Sequence, residues 1–487
     1  MFIDRNNCFR SCILPIFLSY VGLILSTFYS EDSRSELESF PPGLQKASVE
    51  HAILLRDQAL EKSDAFALVE SLTTEIGPRL AGTEAEARAR EWAVKHLSGM
   101  GFDSVVMEPF QIKAWIRGRE SAVLTKPSEQ GLAVTALGGS VSTPEAGLEA
   151  ELAVFQSLSD LESVADDSLV GKIVYVGHAM RPTQDGSSYG AFVPIRRLGP
   201  SIAAAKGAIG IVIRSIGTDS HRNPNTGQLN YVKGVRKIPA GALSNPDADQ
   251  IERLWEKKIP MRMRLVLMSH TREAAESGNV IAEIQGRESP WELVVIGAHL
   301  DSWDLGTGAI DDGAGVGITM AAAKLILDAG KRPRRTIRLV LWGAEEQGIH
   351  GGKAYLERHR TELRNHMLAS ESDFGAGLIW QITSKVSDEG QPVIDLMGTL
   401  LNPLGIVQGG KDIAVSGPDL YPMINAGLPS FSFRQDGTRY FDVHHTANDT
   451  LDKIDSKALD QNVAAYAVFA WLAAETTANF WSMNEPN

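Results

Sequence analysis

Two short apolar runs, each ending abruptly in ionisable groups, constrain the fold of this chain more than any other feature. Leu293, Val294, Val295, Ile296, Gly297 and Ala298 lead into His299 and Asp301, and the stretch from Ile337 to Trp342 leads into Glu345 and Glu346. Runs of this kind read as strands buried on both faces, which places them in a sheet covered by helices. In open α/β sheets the carboxyl ends of such strands are where ligands bind. The pair Asp311 and Asp312, then Asp373, then His445 extend the series of residue types that hold metal ions.

The surrounding pattern supports an α/β fold. Strands are expected at 280–285, 293–298, 337–342, 367–372 and 430–433, alternating with helices at 314–327, 351–363 and 456–474. Helical periodicity also begins near Leu44 and resumes from Asp64 to Ile76. Gly77 to Gly82 break it, and Thr83 with Glu86 forms a capping-box pattern for a helix reaching about Met100. Residues 105–112 alternate like a strand. From about 118 to 275 the character changes to scattered Gly, Ser, Thr and Pro among short strands at 122–125, 152–155, 173–177, 209–213 and 261–268, with one helix at 199–206. The economical reading is one α/β domain built from residues 44–117 and 276–480, interrupted by a strand-rich insert at 118–275.

Arg5 and Arg10 precede an apolar run from Ile13 to Tyr29, so residues 1–30 read as a signal peptide. The small-residue cleavage pattern is poor, which keeps an uncleaved anchor open; membrane association is expected only in that case. Residues 31–43 are acidic and serine-rich, a spacer or pro-segment. The mature chain is therefore expected to be secreted or periplasmic. Both cysteines, Cys8 and Cys12, lie in the leader, so a processed product has no disulfide. A net charge of −13 leaves no basic surplus for phosphates and argues against nucleic acid as a partner. The one glycosylation sequon, Asn448 to Thr450, falls inside a candidate active-site segment and is read as chance.

A hydrolytic pair of zinc ions needs imidazoles and carboxylates, because two dications roughly 3.5–4 Å apart repel unless an anion bridges them. Asp311 is the candidate bridge, since glycines flank it and a helix start follows; helix capping by Asp311 and Asp312 is the plain alternative. His299 offers a nitrogen, and Asp301 stands where its carboxylate could accept the proton of the other imidazole nitrogen. Two adjacent carboxylates after an apolar strand, Glu345 and Glu346, are costly without a cation. One could bind metal while the other takes a proton from water.

The ordered set Gly297 to Asp304, Asp311 to Gly313, Trp342 to Gly348, Glu371 to Asp373 and His445 with Thr446 resembles the co-catalytic zinc aminopeptidase and glutamate carboxypeptidase family, over about residues 45 to 480. The resemblance implies a zinc-exopeptidase mixed sheet flanked by helices, with a protease-associated domain as the insert. It implies two Zn2+ ions: His299 and Asp373 on one, Glu346 and His445 on the other, Asp311 bridging. Glu345 would be the general base, Asp301 would orient His299, and Asp312 would follow an unusual peptide bond. His444 is a second candidate for the histidine position or an oxyanion stabiliser, but His445 directly precedes Thr446, as the family's ligand histidine precedes Thr or Ser. Dipeptides or short peptides are the implied substrates, with Arg434 and Arg439 as candidate carboxylate binders, and a homodimer is the implied assembly. A single-zinc glutaminyl cyclase-like transferase and a non-catalytic receptor or scaffold are the alternatives on the same fold.

Overall fold

The computed structural model describes residues 40–413 and 416–482, so the leader reading of residues 1–30 lies outside the described residues. Among the described residues no helix is long and apolar enough to cross a membrane. Strands β1 (Ser104–Lys126), β2 (Gln130–Leu132), β3 (Val134–Ala136), β4 (Leu148–Phe155), β5 (Ile173–Val176), β6 (Gly210–Arg214) and β7 (Ala240–Leu243) come first. Then follow β8 (Arg262–Ile284), β9 (Ser289–His299), β10 (Arg335–Trp342), β11 (His366–Glu371), β12 (Ile379–Lys385), β13 (Val407–Lys411) and β14 (Ser430–Gln435). All belong to one mixed sheet, in which β13-β12-β14-β11-β9-β10-β8 continues into β4-β5-β6-β7-β3, while β1 pairs with β2 and β8.

The centre is parallel where the sequence is most apolar. β10 and β11 flank β9, both parallel to it, and every residue of β11 is buried. Register places Trp342 opposite His299 and Glu371 opposite Gly297, so β9 and β10 end flush, β11 ends two residues short, and all three deliver their next residues to one edge. Helix Ala314–Asp328, rich in Ala and Gly, is buried almost throughout and packs between β9 and the terminal helix Ser456–Glu475. That terminal helix is buried from Ala458 to Glu475, and helix Lys46–Glu61 covers it. An element apolar all round must be enclosed in this way.

β1 and β8 differ most from the sequence reading. Each is a single strand of 23 residues, and the two pair along nearly their whole length, running through residues 118 and 275 with bulges between Ile112 and Ala114 and between Arg117 and Glu120. Along its other side β8 pairs with β10 through residues 280–284 and with β4 through 262–265. The exposed middle of β8 gives no apolar signal, and in β1 Arg117, Gly118, Arg119 and Glu120 interrupt the pattern, which is why only parts of each read as strands. The helix expected at 199–206 begins at Ser187 and includes Pro194 and Pro200, residues that read as breakers in sequence. Thr83 does cap helix Glu84–Met100, accepting from Glu86 N–H at 3.3 Å, but the Glu86 side chain turns inward to Arg90 and Ser277.

Beneath β11, His366 is fully buried. Its Nδ1 faces Glu362 O at 3.1 Å and its Nε2 faces Tyr355 Oη at 2.8 Å, while Arg338 donates to the same phenol at 2.7 Å. A neutral ring with its proton on Nδ1 satisfies all of these groups. Burial, then the Arg338 charge, pushes the imidazole down from 6.5 to about 4. The unfolded chain therefore binds this proton more readily than the folded one, and stability drains away as pH falls from about 6.5 towards 4. In denaturant titrations the loss between pH 7 and pH 4 should be smaller in His366→Gln than in the wild type by on the order of 3 kcal/mol; equal losses would show that this residue does not carry the effect.

Candidate active site

His299 is the last residue of β9, and the loop after it is held by a guanidinium that sequence reading had assigned only to a helix-breaking turn. Arg79 is fully buried and donates through Nε to Leu300 O at 2.5 Å, through Nη1 to Thr307 O at 2.7 Å and through Nη2 to Gly308 O at 2.9 Å. Gly308 has φ +60°, and a Cβ there would lie 2.8 Å from Arg79 Nη1 and 2.4 Å from Ser302 Cβ, so only glycine fits. The peptide between Asp311 and Asp312 is cis. Asp312 performs the capping role: Oδ1 accepts from Gly315 N–H at 3.2 Å and Oδ2 from His299 N–H at 3.1 Å. Asp311 is left to face the cleft. Gly315 is required too, because a Cβ would sit 2.2 Å from Ser372 O.

The candidate ligands converge on Asp311. Its Oδ1 lies 3.0 Å from His299 Nε2, and its Oδ2 lies 3.2 Å from His445 Nε2. Asp373 Oδ1 is 3.6 Å from His299 Nε2 on one side, and Glu346 Oε2 is 3.1 Å from His445 Nε2 on the other. Two groups of donor atoms compact enough to hold a metal ion follow, one of His299, Asp311 and Asp373, the other of Asp311, His444 and His445. His444 stacks on His445 with ring centroids 3.5 Å apart, but its Nε2 is 3.5 Å from Asp311 Oδ2 and no contact joins it to Glu346. His445 is the better placed of the two histidines.

Asp301 plays a part the sequence did not suggest. Its backbone carbonyl, not its carboxylate, faces His299 Nδ1 at 3.0 Å; the carboxylate is 3.7 Å away. That carboxylate instead accepts from Glu345 N–H at 2.9 Å and Glu346 N–H at 3.3 Å, pinning the turn after β10 where Ala344 adopts φ +56°. The Nδ1 of His299 thus faces a carbonyl, while the Asp301 side chain is engaged by the neighbouring turn. Asp449, inside the sequon read as chance, is buried and accepts from Ile310 N–H at 2.6 Å and Asp311 N–H at 3.1 Å. Its signal in sequence was only its spacing of four residues from His445.

Electrostatics show which charge the donor set favours. Burial raises Glu346 to about 7 and lifts Glu345, Glu371 and Asp419 well above the carboxylate range, each further raised by like-charged neighbours. Buried Glu346 Oε1 and Glu371 Oε1 have no hydrogen-bond partner. Burial opposes protonation of His299 and His445, yet the adjoining carboxylates hold both imidazoles well above their usual range. Asp311 runs the other way: although burial disfavours its charge, His299 and His445 hold it well below the usual range. The donor set therefore calls for positive charge on each side of Asp311, and oxygen and nitrogen donors of this mixture suit zinc.

The site opens into a cleft of about 920 Å³ lined by Tyr189, Arg196, Glu345, Phe374, Tyr421 and Arg434 among others. That volume falls in the range that small-molecule pockets occupy. Arg434 is in the cleft as expected, whereas exposed Arg439 is not part of its lining. Replacing Asp449 with Ala leaves two buried backbone N–H groups without an acceptor, at about 1–3 kcal/mol each. Thermal unfolding of Asp449→Ala should show that loss; an unchanged melting curve would remove Asp449 from this role.

Comparison with known proteins agrees with this geometry. The model of Peptidase family M28 matches residues 279–470. Carboxypeptidase Q from Bos taurus is 37% identical over 404 residues, covering 83% of this chain and 84% of the relative. The crystal structure of a peptidase M28 precursor from Shewanella amazonensis SB2B superposes with a TM-score of 0.88 at 47% identity, over 91% of this chain and 99% of that one. A zinc aminopeptidase from Bacillus subtilis, at 20% identity and a TM-score of 0.60 over 83% of this chain and 94% of that one, shares the fold. The chain belongs to peptidase family M28 and is a metallo-exopeptidase.

Proposed function

We propose that this metallo-exopeptidase uses two Zn2+ ions to hydrolyse dipeptides or short peptides, with His299 and Asp373 holding one ion, Glu346 and His445 the other, and Asp311 both. The observation that carries the reading is the placement of the two Asp311 oxygens, 3.0 Å from one imidazole nitrogen and 3.2 Å from another. Zinc relatives of the same fold support the choice of metal. When bound, the ions supply Lewis acidity, polarising the scissile carbonyl and lowering the pKa of a water to roughly 7.

The chain's own residues do the rest. Glu345 lines the cleft beside the ligand set, so it takes the proton of the attacking water and returns it to the leaving amine. A raised affinity for protons suits the second half of that cycle. Asp301 orients His299 through its carbonyl and fixes the backbone of Glu345 and Glu346 through its carboxylate. His444, neutral because burial and the adjoining His445 depress its pKa, is positioned to donate towards an oxyanion beside Asp311. Arg434 and Arg196 supply positive charge in the cleft for a substrate carboxylate. The strand-rich segment at 118–275 is read as the protease-associated insert, and the chain as a secreted or periplasmic enzyme.

Metal analysis of the purified protein, coupled to hydrolysis of a dipeptide panel with each terminus blocked in turn, tests the reading. Two zinc ions per chain and turnover abolished by a chelator are expected. Glu345→Gln should keep both ions and the melting temperature while kcat falls by about 10²- to 10⁴-fold. One ion per chain would point to the cyclase-like chemistry, and full zinc occupancy without turnover of any peptide would point to a scaffold.

A further inference from the structure

His445 adopts φ +59°, a left-handed conformation that residues with a Cβ avoid, and such a conformation persists only where the surroundings impose it. The surroundings here come from the strand-rich half of the molecule. Asn225 Nδ2 donates to His444 O at 2.5 Å, and Thr226 N–H donates to His445 O at 3.0 Å. Thr226 O in turn faces His445 Nδ1 at 3.3 Å. Three contacts from two consecutive residues thus grip two consecutive residues at the site.

The grip is itself anchored. Asn225 N–H donates to Ser215 Oγ at 2.8 Å, Thr226 Oγ1 donates to Ala136 O at 2.8 Å, and Arg196 Nη1 donates to Thr226 O at 3.2 Å. Asn225 is 2% exposed and Thr226 fully buried, so water has little room to replace a lost contact. The two candidate ligand histidines differ in this respect. His299 has its Nδ1 held by Asp301 O, two residues along the same loop; His445 has its Nδ1 held by a carbonyl 219 residues away in the chain.

We infer that Asn225 and Thr226 are positioning residues for His445, so that the metal position His445 serves is tied directly through its histidine to the strand-rich segment, whereas His299 takes its Nδ1 partner from its own loop. The inference rests on the two-metal reading above. A hydrogen bond to the far nitrogen fixes the proton there, presents Nε2 as the ligand and sets the ring plane, and losing such a partner typically weakens metal binding about 10- to 100-fold. Backbone contacts to His444 and His445 add control over where the ring starts. Asn225 contributes the one part of the grip that mutation can remove without altering the main chain.

The test is a competition titration of chelator-stripped full-length protein with zinc, resolving two binding steps. Asn225→Ala should weaken one step about 10- to 100-fold, the same step that His445→Ala removes, and leave the other within about twofold. Isosteric Asn225→Asp, which presents an acceptor to the His444 carbonyl, should weaken the same step at least as much. Circular dichroism and melting of the stripped proteins identify a variant that has lost its fold, and the more conservative of the two then decides. Equal weakening of both steps in a folded variant, or two unchanged steps, overturns the inference. A wild-type protein that binds fewer than two ions instead overturns the two-metal reading on which it stands.

Discussion

One buried carboxylate organises the site. Asp311 turns an oxygen towards each of two imidazoles, and that geometry is available only because its backbone is fixed from both sides. Asp449 takes the N–H groups of Ile310 and Asp311, Asp312 caps the following helix, and Arg79 draws in the loop that leads there. Burying a carboxylate costs several kcal/mol unless charge and hydrogen bonds answer it. Of the answering groups His299 comes from the end of a strand already buried for other reasons, while His445 and Asp449 come from loops packed against Asp311.

The parts of this arrangement that were legible in the sequence share a property: they follow apolar strands directly. His299, Glu345, Glu346 and Asp373 each stand within a few residues of a run that can only be a buried strand, and parallel register then brings their ends together. His445 lacks such a strand and was readable only through the neighbouring threonine and the family likeness. Arg79 was visible as part of a turn, but its purpose depends on carbonyls at 300, 307 and 308, which no local pattern connects to it. Asp449 was set aside with its sequon for the same reason: its partners at 310 and 311 are remote in the chain.

The strand-rich segment shows the converse limit. Its middle strands are legible because β5 and β6 are short and apolar, while β8 is legible only at its ends because residues 270–274 are exposed, and β1 only in fragments because charged residues interrupt its apolar ones. A change of composition near 118 and 275 is real, and the backbone answers it with bulges, between Ile112 and Ala114 opposite Ala275 and between Arg117 and Glu120, rather than with an end to the strands. Both strands continue through those positions as one pair, so composition marked a difference of environment along a strand rather than its end. The same reasoning covers the helix from Ser187, whose two prolines interrupt the pattern in sequence but not the helix in space.

This continuity has consequences for how the site assembles. The pair β1 and β8 ties the two halves of the sheet, and Asn225 and Thr226 cross from one half to hold the histidines of the other. The contacts that complete the site therefore span most of the chain, and contacts of such long range form only after the loops between them have closed. Carboxylates at 345, 346, 371 and 373 must come together before that closure is rewarded, and they repel one another until cations separate them. Because ligands of this kind have no preformed geometry in an unfolded chain, free energy of metal binding becomes free energy of folding for the segments that carry them. The turn after β10, the loop from 300 to 313 and the segment around His445 carry the candidate ligands on hydrogen-bonded loops, whereas β9, β10, β11 and the two long helices behind them are secured mainly by apolar burial.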